Sequence, residues 1–167
     1  MSPKLFISIG AVVALSIAGS AQARAAETGF AIQNVLTGKN LRPFDAGASD
    51  GNKIVLYDHI NWKCMTWKFE KVSADTFQLR NLFTAKTIQP ASTPKAGVAL
   101  VQQPLKKGAP QLWEFLKQPG GTYLIRLKGT ALFVSTTSDK TNSAIVLDTR
   151  RKDKSQEWRT IEQSPLM

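Results

Sequence analysis

The chain has 167 residues, 43% hydrophobic and 20% charged, with a formal charge of +10, one cysteine and one histidine. That fits one ordinary globular domain. A lone cysteine excludes an intrachain disulfide, a structural zinc cluster and a two-cysteine redox motif. The lone His59 sits in the polar stretch Tyr57-Asp58-His59-Ile60-Asn61 with no partner motif beside it, which points away from an enzyme.

Residues 1–25 read as an address. Lys4 precedes an apolar run from Leu5 to Ile17, and small residues follow up to Ala25. The run is 13 residues, shorter than the ~20 that a spanning helix needs. A cleaved bacterial secretory signal is expected, with the cut after Ala23 or, preferably, after Ala25. No transmembrane anchor is expected after cleavage, and the expected location is the periplasm or the exterior. Cleavage after Ala25 removes Lys4 and Arg24 and takes the formal charge from +10 to +8. Such a balance favours anionic partners, and export argues for acidic polysaccharide over nucleic acid. Cys64 is expected to be a buried free thiol.

The remainder repeats three times, at about 28–74, 75–120 and 121–163. The segments open alike at Phe30-Ala-Ile32-Gln-Asn34, Phe77-Gln-Leu79-Arg-Asn81 and Tyr123-Leu-Ile125-Arg-Leu127, with first aromatics 47 and 46 residues apart. They close alike at Met65-Thr-Trp67, Gln111-Leu-Trp113 and Gln156-Glu-Trp158, with tryptophans 46 and 45 apart. Two independent markers share one period, the signature of a repeat architecture.

Each opening segment alternates with a period of two, as a half-buried strand does. Further β-rich runs follow at 40–43, 53–57 and 66–70, at 87–90, 98–102 and 112–116, and at 132–135, 144–148 and 157–161. Clusters of Gly, Pro, Asn, Asp and Ser between them mark turns, and no helix of useful length is expected. Four strands per repeat give twelve, an all-β domain. One such unit cannot bury its own apolar face, whereas three around an axis close a sheet and remove its edges. The closing tryptophans are then core residues, and Trp62 lies outside the repeat.

The Gln-x-Trp motif, intact at Gln111-Leu112-Trp113 and Gln156-Glu157-Trp158 and altered to Met65-Thr66-Trp67, resembles that of the ricin B-type lectin family. So do the openings of the Phe-x-Ile-x-Asn-x-x-Thr-Gly kind. The resemblance covers the whole processed chain and implies a β-trefoil, a six-stranded barrel capped by three hairpins, with weak sugar binding in shallow pockets, one per repeat. The secreted, one-domain layout is more loosely similar to the lectin-like binding subunits of cytolethal distending toxins.

The family pocket combines an Asp on the second strand, an aromatic ring ending the third, and an Asn before Gln-x-Trp. Polar groups bind sugar hydroxyls while the ring covers the apolar face of the pyranose. The corresponding residues here are Arg42, Tyr57 and Cys64 in the first repeat, Gln89, Gln103 and Pro110 in the second, and Phe133, Asp148 and Ser155 in the third. No repeat keeps the full set. The first is the expected pocket, with Tyr57 stacking and Arg42, Asp45, Asp58 or Asn61 supplying polar contacts; Asp148 is the polar residue at the third repeat's ring position.

A second feature recurs. The loops before the fourth strands carry Lys63, then Lys106 and Lys107, then Arg150, Arg151, Lys152 and Lys154. These form an expected anion-binding rim around the pockets. The expected function is a secreted, lectin-like, non-enzymatic carbohydrate-binding module without cofactor or metal, with anionic glycans on a cell surface as the expected ligand class. The alternative is a protein-interaction or toxin-delivery subunit that has lost its sugar pockets and serves a partner chain.

Overall fold

A computed structural model of the chain describes residues 28–165. The expected signal segment 1–25 lies outside the described residues. The first repeat holds β1 (Gly29–Asn34), β2 (Asn40–Pro43), β3 (Ile54–Tyr57) and β4 (Trp67–Ser73). The second holds β5 (Thr76–Asn81), β6 (Thr87–Pro90), β7 (Leu100–Gln103) and β8 (Trp113–Lys117). The third holds β9 (Tyr123–Leu127), β10 (Phe133–Thr136), β11 (Ile145–Asp148) and β12 (Glu157–Gln163). The expected runs at 40–43 and 87–90 coincide with β2 and β6. β4 and β12 continue beyond the expected runs because β5 and β1 lie antiparallel along them and satisfy their backbone groups.

Pairing runs β1–β4–β5–β8–β9–β12 and back to β1, a closed six-stranded barrel. The other six strands form the hairpins β2–β3, β6–β7 and β10–β11. Closure leaves the barrel strands without a free edge. At Gly29, β1 and β4 approach so closely that a Cβ would meet the Trp67 carbonyl oxygen at 2.9 Å.

The hairpins interlock through their tips. The amide of Gly51 donates to the Gln102 carbonyl at 2.9 Å, that of Gly97 to Leu147 at 2.8 Å, and that of Asn142 to Leu56 at 2.8 Å. Each tip thereby binds the third strand of another repeat. All three donors are left-handed, with φ of 75°, 83° and 66°, which glycine adopts freely and asparagine tolerates.

Trp67, Trp113 and Trp158 are fully buried. Their indole Nε1 groups donate to the carbonyls of Leu41 at 3.1 Å, Ile88 at 3.1 Å and Val134 at 3.0 Å, tying each barrel strand to the hairpin above it. Truncating such an indole costs about 3 kcal/mol or more. The architecture is the β-trefoil that the resemblance to the Gln-x-Trp family implies. No helix among the described residues is long and apolar enough to cross a membrane.

Candidate functional site

In the first repeat, Arg42 faces Val55 across the β2–β3 pair and Tyr57 faces Asn40, so Arg42 and Tyr57 are diagonal neighbours. The Arg42 guanidinium carbon lies 3.5 Å from the Tyr57 ring centre, a cation–π contact. Only 6% of Arg42 is exposed. One of its terminal nitrogens donates to Asn142 Oδ1 at 3.4 Å, while its Nε has no partner. The sequence offered Tyr57 as a sugar platform and Arg42 as a polar contact beside it. Instead the guanidinium covers one face of the ring, because a buried charge with no carboxylate takes the nearest electron-rich surface.

The other first-repeat candidates are scattered. Asp45 follows Pro43 at the turn end of the hairpin, whereas Tyr57 pairs with Asn40 at the opposite end, so the two are not brought together. Asp58 is ion-paired with Lys39 and accepts from Thr141 Oγ1 at 3.2 Å. The Lys39 hydrogen bond, more than its charge, holds the Asp58 carboxyl below the ordinary aspartate range. Asn61 is exposed in the loop that follows. Asn40 Nδ2 donates to His59 Nδ1 at 2.7 Å and fastens that loop. Cys64 is a buried free thiol; burial pushes its ionisation up, and the nearby Arg42 charge partly opposes this.

The second repeat has no ring, since Gln103 ends β7. Gln111 of the Gln-x-Trp motif donates to Gln89 Oε1 and to the Pro104 carbonyl, each at 2.9 Å, and accepts from the Lys106 amide at 2.8 Å. The motif glutamine is a clamp on the loop that presents Lys106 and Lys107. Gln156 repeats it, donating to the Thr149 carbonyl at 2.7 Å and accepting from the Arg151 amide at 2.8 Å. Met65 cannot, and the Asn40–His59 bond stands in.

The third repeat requires a correction. The tryptophan bonds make Leu41, Ile88 and Val134 equivalent, so the counterpart of Arg42 and Gln89 is Ser135, and Phe133 lies two residues too early. The strand register itself is unshifted, since Asn40, Thr87 and Phe133 pair alike with Gln33, Arg80 and Arg126; what moves is the turn marker. The left-handed turn residue stands four places after Asn34 and Asn81, at Gly38 and Ala85, but only two places after Leu127, at Gly129. Asn34 and Asn81 cap their turns by accepting from the amides of Thr37 and Thr84 at 3.1 Å; leucine cannot, and the turn takes another shape.

Here the structure does assemble a groove. Thr136, Thr137, Ser138, Asp139, Arg151, Asp153 and Ser155, with Leu36 of the first repeat, line a cavity of about 500 Å³. Arg151 is ion-paired with Asp148, whose carboxylate also accepts from the Thr149 amide at 2.8 Å. Arg150 reaches Gln156 Oε1 at 3.4 Å. Asp153 accepts from the Ser155 amide at 2.9 Å and from its hydroxyl, and these bonds hold its carboxyl below the ordinary range. Hydroxyls, carboxylates and a guanidinium thus converge on one concavity, the chemistry that grips polyhydroxylated ligands. Of the expected residues Arg151 and Ser155 line the groove, with Asp148 and Arg150 bonded beside it; Asp139 and the Thr136–Ser138 hydroxyls enter through a hairpin turn, and Asp153 through the loop before β12, with no motif to mark them.

The three basic loops are related by the pseudo-threefold axis and lie on separate sides of the barrel. Lys63, Lys106, Lys107 and Lys152 form no ion pair among the described residues. The third loop gathers Arg150, Arg151, Lys152 and Lys154 beside the groove. No group of three His, Cys, Asp or Glu among the described residues is placed to hold a metal ion.

The chain is similar in fold to a designed threefold-symmetric protein, ThreeFoil, with a TM-score of 0.76 and 16% identity over 79% of this chain and 96% of that one. It is similar to the ricin B-like lectin of Macrolepiota procera, solved in complex with lactose, with a TM-score of 0.68 and 18% identity over 86% and 99% of the two chains. A chain of the Haemophilus ducreyi cytolethal distending toxin gives a TM-score of 0.66 and 17% identity over 83% and 84%. No curated protein matches the sequence. Residues 63–147, about half of the chain, match the model of the ricin-type beta-trefoil lectin domain-like family. With the closed barrel, the three interlocked hairpins and the buried tryptophans, that match makes the chain a member of this family.

Proposed function

We propose that the chain is an exported, non-enzymatic carbohydrate-binding module that takes anionic glycans in the third-repeat groove. The supporting observation is the convergence of Arg151, Asp139, Asp153, Ser155 and the Thr136–Ser138 hydroxyls on one cavity of about 500 Å³. Arg150, Lys152 and Lys154 beside it supply a field that favours carboxylate or sulfate on the sugar. The first-repeat candidates are not part of the site in this reading, since Arg42 covers one face of the Tyr57 ring and Asp58 is paired with Lys39. Export rests on the segment 1–25, and amino-terminal sequencing of the protein from its native envelope should begin at Ala26.

A glycan array at low and high salt tests the reading. Saturable binding to acidic glycans is expected, weakened by salt because screening acts on exposed charges. Replacing both Arg150 and Arg151 by Ala should reduce it by at least about tenfold. Absence of binding to any glycan at low salt would overturn the proposal.

A second reading, a protein-interaction subunit, has its own observation. Trp62 is 39% exposed and lines an apolar hollow of about 270 Å³ with Ala46, Lys63, Cys64 and Phe83. Exposed apolar surface of this kind marks interaction sites. Co-purification of a stoichiometric partner, lost in Trp62→Ser, would favour this reading; elution alone at the monomer mass counts against it.

A further inference from the structure

The barrel end away from the hairpins carries a second concavity that carbohydrate binding does not use. Strand register defines the equivalent positions there. Phe69 pairs with Leu79, Phe115 with Ile125 and Thr160 with Ile32, while Lys71 pairs with Phe77, Lys117 with Tyr123 and Glu162 with Phe30. The pseudo-threefold pattern calls for six rings and finds five. Phe30, Phe69, Phe77, Phe115 and Tyr123 form an arc of edge-on and tilted contacts with neighbouring centroids 4.9–5.8 Å apart. The arc breaks between Tyr123 and Phe30, where Thr160 stands in place of a third phenylalanine.

The missing ring leaves a space. These six residues, with Asp75 and Lys117, line a cavity of about 500 Å³, within the size range of small-molecule sites, which are mostly apolar with a few polar groups that fix orientation. A phenyl group completes the pattern of Phe69 and Phe115, and the Thr160 hydroxyl can exchange a hydrogen bond with a polar substituent on it. A quaternary ammonium ion fits less well, because Lys117 lines the cavity and offsets Asp75, and the described barrel carries excess positive charge.

We propose that this cavity binds a small uncharged aromatic compound bearing a hydroxyl, its ring seated over Thr160 between Tyr123 and Phe30. The site is separate from the third-repeat groove and independent of glycan binding.

Phenol is the probe, added to the full chain and followed by NMR. Saturable ring-current shifts are expected at Phe30, Tyr123 and Thr160, with a Kd in the ~millimolar range for so small a ligand. Thr160→Phe supplies the missing ring and should weaken phenol binding at least about tenfold without lowering the Tm. Thr160→Val keeps the shape and removes the hydroxyl. It should weaken phenol but not toluene, and serves if the phenylalanine variant fails to fold. No saturable shift at these residues would overturn the proposal. So would preferential binding of choline.

Discussion

The Arg42 guanidinium carbon lies 3.5 Å from the centre of the Tyr57 ring, so the residue that departs most from the lectin pattern also covers the one that best keeps it. Tyr57→Ala removes the cation–π contact and leaves a buried arginine with fewer partners. A loss of about 1 kcal/mol is expected from the contact itself, seen as a lower urea midpoint. Arg42→Met keeps an apolar stem without the charge and should leave stability unchanged or raise it, since a buried charge is costly to desolvate. Unfolding curves for the two variants distinguish a structural pair from a ligand platform.

The tryptophans divide three to one. Trp67, Trp113 and Trp158 are dry, whereas Trp62 is 39% exposed. Acrylamide should quench a minor fraction of the fluorescence, and Trp62→Phe should abolish that fraction with little change in Tm. Trp158→Phe strands the Val134 carbonyl that its Nε1 bonds at 3.0 Å. A buried acceptor left unpaired costs about 1–3 kcal/mol, and the melt should report it.

Asp58 and Asp153 are both held in the charged form, by Lys39 and Ser155 respectively. Their ionisation in the folded chain lies below that in the unfolded chain. The stabilisation is therefore complete above the ordinary value of 3.8 and is lost as pH falls through the lower folded value. Carboxyl NMR titration should show both midpoints depressed. Lys39→Met should return Asp58 towards 3.8 and leave Asp153 where it is.

Burial raises the Cys64 ionisation, and thiolate is the form that reacts. Alkylation by iodoacetamide near neutral pH should be slow in the folded chain and fast in urea. Arg42→Met withdraws the opposing charge and should slow the folded reaction further. Comparable rates in folded and unfolded protein would contradict the burial.

The fold was legible because the strands and the tryptophans obey one period. Runs such as Asn40–Pro43 and Thr87–Pro90 could be bounded from alternation and turn residues alone. The site was less so. Counting from the turn glycine points to Phe133, whereas Ser135 holds the pocket position, because Gly129 falls earlier in its turn than Gly38 does and the capping asparagine is gone. Arg42 and Tyr57 share a hairpin and are legible as neighbours, though not as a stacked pair; the approach of Thr141 to Asp58 joins hairpins of different repeats. No spacing rule reaches across that distance. Thr160 was visible only after register had aligned it with Phe69 and Phe115.

Thr28 Oγ1 and Ser164 Oγ lie 3.1 Å apart, and β1 and β12 run side by side from Gly29↔Gln163 onward. The point where the polypeptide enters the barrel is thus also where it leaves. A circular permutant that links these positions and opens at the Gln118–Thr122 turn would retain all twelve strands and every pairing between them, so the order in which the repeats are synthesised can change while the domain stays the same.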